Sequence, residues 1–271
     1  MVKTTSGGNQ QKTALITGAS GGIGYELAKL FAQDGCNLVL VARSQEKLHA
    51  VAGELQDKFG ISVKVIIKDL ANPAAPNEIF TELKNAGIKI QFLVNNAGFA
   101  AYGLFAEIDL DTELQMMQVN MVSLTHLTKL FVKEMIEQRE GKILNIASTA
   151  SFQPGPLMAV YFATKAFVLS FSEAIANELK GTGVTVTALC PGPTKSGFQK
   201  RAALEKSKLV NGKKIMDAET VARIGYQGFM KNQTVIITGL KNKILAQSAR
   251  LGPRNLVTAI VRNLQSEVEK S

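Results

Sequence analysis

Apolar residues follow two alternating patterns along this chain. Short, nearly unbroken apolar runs stand at Lys12–Thr17, Asn37–Ala42, Val63–Ile67, Gln91–Asn95, Lys142–Ala147, Gly183–Leu189 and Gln233–Thr238. Their length and β-branched content predict seven buried strands. Between them lie longer stretches with helical spacing. In Tyr25–Asp34, for example, Leu27, Ala28, Leu30 and Phe31 share one face, and Gly35 ends the helix. Ser44 is placed to cap a helix reaching Phe59, and Pro73 or Pro76 opens one that Gly87 ends. Further helices are predicted over Asp111–Gln138, Leu157–Leu179 and Asp217–Met230. This alternation implies βαβ units, hence an α/β fold with a parallel sheet covered by helices on both faces. Two amphipathic pieces follow the last strand. One carries Ile244, Leu245, Ser248 and Leu251, the other Leu256, Val257, Ile260, Val261 and Leu264, and Gly252-Pro253 breaks between them. Without a linker or internal repeat, residues 12–271 read as one domain. It includes a basic, weakly patterned lid at 195–214 and C-terminal amphipathic helices at 240–269, after a loose polar tail at 1–11.

Charge and composition narrow the partners. The net charge of +9 resides in the last third, where residues 195–271 carry 15 Lys/Arg against 5 Asp/Glu. Such a surface suits an anionic substrate handle, including an acyl thioester, or peripheral contact with an acidic membrane surface. No helix-turn-helix, zinc or RNA-binding motif supports a nucleic-acid partner. No run approaches the roughly 18 consecutive apolar residues of a membrane span, and Met1–Lys12 lacks the apolar core of a signal peptide. Cys36 and Cys190 read as buried free thiols, in keeping with a reducing, cytoplasmic setting. His49 and His126 stand far apart and no Cys/His cluster exists, so no metal site is expected.

Three constellations carry chemistry. Gly18-Ala-Ser-Gly-Gly-Ile-Gly24 lies at the first strand-to-helix junction, where backbone N–H groups and the helix dipole favour a pyrophosphate. The second strand ends Val41-Ala42-Arg43-Ser44 without a carboxylate. An acid there would hold a ribose 2′-OH. Arg43 instead offers a planar fork for a 2′-phosphate and Ser44 a hydroxyl, so NADP(H) is the expected cofactor. Tyr161 and Lys165 are four apart and share a helix face. A cation there is expected to pull the phenol below its usual pKa of about 10 and let it move a proton near neutrality.

With these residues in place the chain resembles the short-chain dehydrogenase/reductase family from about Lys12 to Gly239. Thr17-Gly18-x-x-x-Gly22-Ile23-Gly24 resembles the family's cofactor turn and Asn95-Asn96-Ala97-Gly98 its motif after strand four. Asn120, Ser148, Tyr161 and Lys165 resemble its catalytic tetrad, with the usual thirteen-residue step from Ser148 to Tyr161, and Pro191-Gly192 resembles the motif after strand six. The resemblance implies a Rossmann-type doubly wound seven-stranded sheet in the order 3-2-1-4-5-6-7, with the cofactor across its carboxyl edge. It implies cofactor contacts by Gly18, Ser20, Gly22, Ile23, Gly24, Arg43, Ser44, Asp69, Leu70, Asn95, Ala97 and Gly98. Tyr161, Lys165, Pro191, Gly192, Thr194 and Ser196 complete that set, Ser196 standing where the family has threonine. Tyr161 would donate a proton to the carbonyl oxygen and Ser148 a hydrogen bond, while Lys165 steadies the phenolate and Asn120 positions a proton-relay water. The expected activity is an NADP(H)-dependent exchange of hydride with a carbonyl or alcohol, on a hydrophobic ketone, aldehyde or 3-ketoacyl compound. A non-catalytic NADP(H) sensor or scaffold on the same fold is the alternative, which the intact tetrad disfavours. Phe99, Tyr102, Phe105, Phe152, Leu157 and Met158 form the expected apolar substrate wall. A homodimer or tetramer is expected from the family, although residues 240–269 depart from its usual short tail.

Overall fold

The computed structural model describes residues 11–195, 197 and 215–266. Most of the expected tail and lid, together with Ser196 and residues 267–269, lies outside the described residues. Strands β1 (Thr13–Thr17), β2 (Asn37–Ala42), β3 (Val63–Ile67), β4 (Phe92–Asn95), β5 (Gly141–Ile146) and β6 (Val184–Cys190) alternate with helices. A two-residue pair, β7 (Thr194–Lys195) with β8 (Met216–Asp217), precedes the last sheet strand, β9 (Val235–Ile237). The large sheet runs β3-β2-β1-β4-β5-β6-β9 with every pairing parallel, the expected order with β9 as its seventh member.

The helices are α1 (Gly22–Gln33), α2 (Gln45–Phe59), α3 (Ala75–Asn85), α4 (Leu110–Met117), α5 (Leu124–Gln138), α6 (Ala159–Glu178), α7 (Ala218–Met230), α8 (Leu240–Leu251) and α9 (Arg254–Gln265). Because side chains alternate across a strand, Ala14 and Ile16 face one layer and Leu15 the other. The first layer is built on Leu27, Phe31 and Leu48 with Tyr226 and Phe229 of α7, and the second on Ile79, Leu83, Leu127 and Phe131. Both faces of β1 are therefore buried, which is why its sequence is a run rather than an alternation. Phe31 anchors the first layer, its ring 4.9 Å from Tyr226 and nearly perpendicular to it.

Two of the differences from the sequence reading bear on the site. The long stretch expected from Asp111 begins at Leu110, because the Asp109 carboxylate accepts the Thr112 N–H at 2.8 Å. It is interrupted by a π-helical turn, Gln118–Ser123, which carries Asn120. Such one-turn insertions recur at functional sites. Helix α6 starts at Ala159 rather than Leu157, since Leu157 has φ 69 and cannot continue a right-handed helix.

Candidate active site

A cleft of about 660 Å³ opens along the carboxyl ends of β1, β2, β4, β5 and β6. Its phosphate end is the turn between β1 and α1, where Gly18, Ser20, Gly22 and Ile23 line the wall. A Cβ on Gly24 would stand 2.5 Å from the Gly18 carbonyl oxygen, so only glycine lets the turn fold on itself. Gly24 itself does not line the cleft. The N-cap position is Gly21, and the first turn of α1 carries neither a side-chain cap nor an acid, which leaves the helix N-terminus suited to an anion. The turn is stitched to the end of β4: the Asn96 amide nitrogen donates to the Thr17 and Gly18 carbonyls, and the Asn96 and Ala97 N–H groups both donate to Thr17 Oγ1 at 3.0 Å.

Asn95, expected at the cofactor, faces the other way. It is buried and donates to Thr128 Oγ1 at 3.0 Å and Asn145 Oδ1 at 2.9 Å, and Asn145 in turn donates to Ser172. Its neighbour Asn96 lines the cleft instead, with Ala97 and Gly98. The cause is strand alternation: at the last residue of β4 Asn95 shares the face of Leu93, which packs toward α5, while Asn96 lies beyond the strand end.

At the far end Arg43, Ser44, Lys47, Lys68, Asp69 and Leu70 line the cleft. Ser44 occupies the cap position of α2 but makes no capping bond. Arg43 reaches Asp69 at 3.5 Å with 65% of its side chain exposed, a geometry worth at most about 1 kcal/mol. The guanidinium is therefore available to an added anion. Lys68 is paired with Glu78 at 2.6 Å, which leaves Arg43 and Lys47 against Asp69; with no acid at the end of β2, this fits a 2′-phosphate better than a ribose diol.

The reactive end is built by β5 and α6. Tyr161 is 9% exposed and lines the cleft, and Ser148 hydrogen-bonds its hydroxyl. Ser148 Oγ also accepts the Ala150 N–H at 3.1 Å. Lys165 Nζ donates to the Ile146 carbonyl at 2.7 Å and lies 5.8 Å from the centre of the Tyr161 ring. Burial pushes the Tyr161 hydroxyl up to about 12, with the Ser148 hydrogen bond opposing, and burial lowers Lys165 to about 8. The sequence reading expected the lysine to depress the phenol. In the folded protein desolvation dominates, and Tyr161 is a neutral donor at physiological pH. Asn120 stands behind Gly98, not in the cleft lining: a Cβ on Gly98 would come within 2.9 Å of Asn120 Oδ1. Its amide accepts the Phe99 N–H at 3.1 Å and donates to the Phe99 carbonyl and Thr164 Oγ1. Pro191, Gly192 and Thr194 line the cleft beside Ser148, the Thr149 N–H donating to the Pro191 carbonyl at 2.9 Å and the Thr194 hydroxyl to the Gly192 carbonyl.

The short chain dehydrogenase family matches residues 12–207, the span that holds the glycine turn, Asn120, Ser148, Tyr161 and Lys165. This chain belongs to the short-chain dehydrogenases. Among curated relatives, a very-long-chain 3-oxoacyl-CoA reductase of Anas platyrhynchos is 37% identical over 184 residues, which cover 66% of this chain and 58% of the relative. The human 17-beta-hydroxysteroid dehydrogenase type 3 is 37% identical over 182 residues, covering 66% and 57%. The matched span is thus less than two thirds of the length of these relatives. A solved short-chain dehydrogenase from Sphingobium yanoikuyae in complex with NADPH superposes with TM-score 0.80 at 32% identity, covering 94% of this chain and 98% of that one.

The substrate end of this short-chain dehydrogenase differs from the expected wall. Phe99 and Met158 line the cleft; Tyr102, Phe152 and Leu157 do not. The Tyr102 hydroxyl donates to the Gln265 carbonyl at 2.6 Å, Phe152 packs on the cluster around Val168, and the Leu157 carbonyl accepts the Gly103 N–H. Phe105 is exposed. In their place Gln153, Phe162, Val261 and Leu264 contribute, the last two from α9. The signal for them was present: Val261 and Leu264 sit on the apolar face of the last amphipathic piece. Ser196, expected at the nicotinamide, lies outside the described residues. Cys36 and Cys190 are buried free thiols.

Proposed function

We propose that the protein uses NADPH to reduce a large apolar carbonyl compound, with 3-oxoacyl thioesters the first class to test. The observation that carries this is a buried Tyr161 hydroxyl with Ser148 and Lys165 beside it, at one end of a cleft whose other end is a glycine turn with Arg43 and Lys47. Gly18, Ser20, Gly22 and Ile23 would hold the pyrophosphate, Arg43, Ser44 and Lys47 the 2′-phosphate, and Lys165 with Tyr161 the nicotinamide ribose. The bound dinucleotide supplies the hydride that adds to the carbonyl carbon.

The protein supplies the rest. Tyr161 gives its proton to the carbonyl oxygen as charge develops there, so the C=O becomes CH–OH. Ser148 donates a hydrogen bond to the same oxygen, preorganised by the Ala150 N–H that it accepts. Lys165 is cationic below about pH 8 and stabilises the phenolate left behind. Asn120 fixes the Phe99 backbone and Thr164, which keeps the cleft wall and the Lys165 helix in register. Those relatives are named for acyl-CoA and steroid substrates, which have a bulky apolar carbonyl compound in common, and Phe99, Met158 and Phe162 supply an apolar surround for one. A screen of NADPH oxidation over 3-oxoacyl thioesters, ketosteroids, quinones and simple ketones tests the reading. Turnover of an apolar ketone that Tyr161→Phe abolishes supports it; turnover unaffected by that substitution rejects it.

A further inference from the structure

We propose that α9 is a binding wall for an alkyl chain, receiving the hydrocarbon part of the substrate beyond its carbonyl. This rests on the reductase reading above, but on residues that the reaction itself does not use. Leu256, Val257, Ile260, Val261 and Leu264 repeat at helical spacing and form one apolar stripe. The stripe is wider than the fold requires. Its inner edge, Val257 and Val261, packs on the cluster of Met158, Tyr161 and Phe162. Leu256 and Ile260 on its outer edge are exposed, and Leu264 is 39% exposed.

The two edges meet at the cleft, where Val261 and Leu264 line the same cavity as Tyr161. From Leu264 back to Leu256 the stripe extends about 12 Å along the helix. The stripe thus continues from the Tyr161 end of the cleft out to the surface along one helix face, an extended apolar contact suited to an alkyl chain. The last turn is held in place across the chain: Tyr102, in the loop after β4, donates to the Gln265 carbonyl at 2.6 Å. Residues 240–266 include no carboxylate, so the stripe itself carries no acidic residue.

The test is calorimetric binding of saturated acyl-CoA thioesters, from four to twelve carbons, to the full-length protein saturated with NADP+. The wild-type Kd is expected to fall about fourfold per methylene over part of the series, the value for moving a CH2 out of water. Leu264→Asp and Ile260→Asp should flatten that slope, Leu264→Ala should reduce it, and Leu251→Ser, 88% exposed on α8 and away from the cleft, should keep it. Retained NADPH binding shows that a variant is folded. If the aspartate variants fail to fold, Leu264→Ala decides. A wild-type Kd independent of chain length, or equal slopes in wild type and all Leu264 variants, overturns the proposal. Length-dependent binding without turnover of any 3-oxoacyl thioester supports the wall and rejects that substrate for the reductase; turnover with no length dependence does the reverse.

Discussion

Replacing Lys165 by methionine isolates the charge that the mechanism assigns to this residue. The ammonium lies 5.8 Å from the centre of the Tyr161 ring, with both groups buried. At an effective dielectric of about 20, a unit charge at that distance stabilises a phenolate by about 3 kcal/mol. The developing phenolate in the reduction carries a large part of that charge, so Lys165→Met should lower kcat about a hundredfold. The pH profile gives an independent readout. Lys165 is lowered to about 8 and Tyr161 raised to about 12. In the wild type, reductive kcat should hold below about pH 8 and decline above it as the ammonium loses its proton. In Lys165→Met the residual rate should be flat through that region. The assay is steady-state NADPH oxidation at saturating ketone and cofactor from pH 6 to 10. A variant within threefold of wild type, or one that keeps the decline near pH 8, would refute the assignment of that decline to Lys165.

Other consequences follow from the same geometry. Arg43→Asp places a carboxylate at the end of β2; losing a charge-assisted phosphate contact of about 1.5–3 kcal/mol should raise the KM for NADPH ten- to a hundredfold and make NADH the better cofactor. Lys165 also couples stability to pH. Its folded pKa lies below its unfolded value of 10.5, so between about pH 8 and 10.5 the unfolded chain binds more protons and stability rises with pH. The difference in urea unfolding free energy between wild type and Lys165→Met should therefore move in favour of the wild type across that window, by up to about 3 kcal/mol. Phe31→Ala, which empties the aromatic centre of the first layer, should cost about 3–5 kcal/mol in the same assay.

Much of the fold was legible because its strands are buried on both faces. Runs such as Leu38–Val41 admit no other placement between amphipathic helices, and the parallel order follows from the crossovers. The reactive end was legible for a related reason: Ser148 and Tyr161 carry chemistry at strand and helix ends, where the topology gathers them. Three features were not. Asn95 and Asn96 are adjacent and chemically identical, and only the phase of β4 decides which one faces the cleft. Tyr102 and Leu157 looked like pocket residues, yet one is committed to Gln265, 163 positions away, and the other to a left-handed backbone. The direction of the Tyr161 shift is set by burial, a tertiary quantity: the i,i+4 spacing reports the lysine but not the loss of water around both groups.

The most direct test of the central claim is single-turnover NADPH oxidation by wild type and Tyr161→Phe, side by side, with a long-chain 3-oxoacyl thioester and with dinucleotide binding measured on the same preparations. The expected result is oxidation of one NADPH per hydroxyacyl product in the wild type, with NADPH binding weakened no more than about tenfold and turnover lowered about a thousandfold in the variant. A Tyr161→Phe protein that reduces the thioester at the wild-type rate would contradict it.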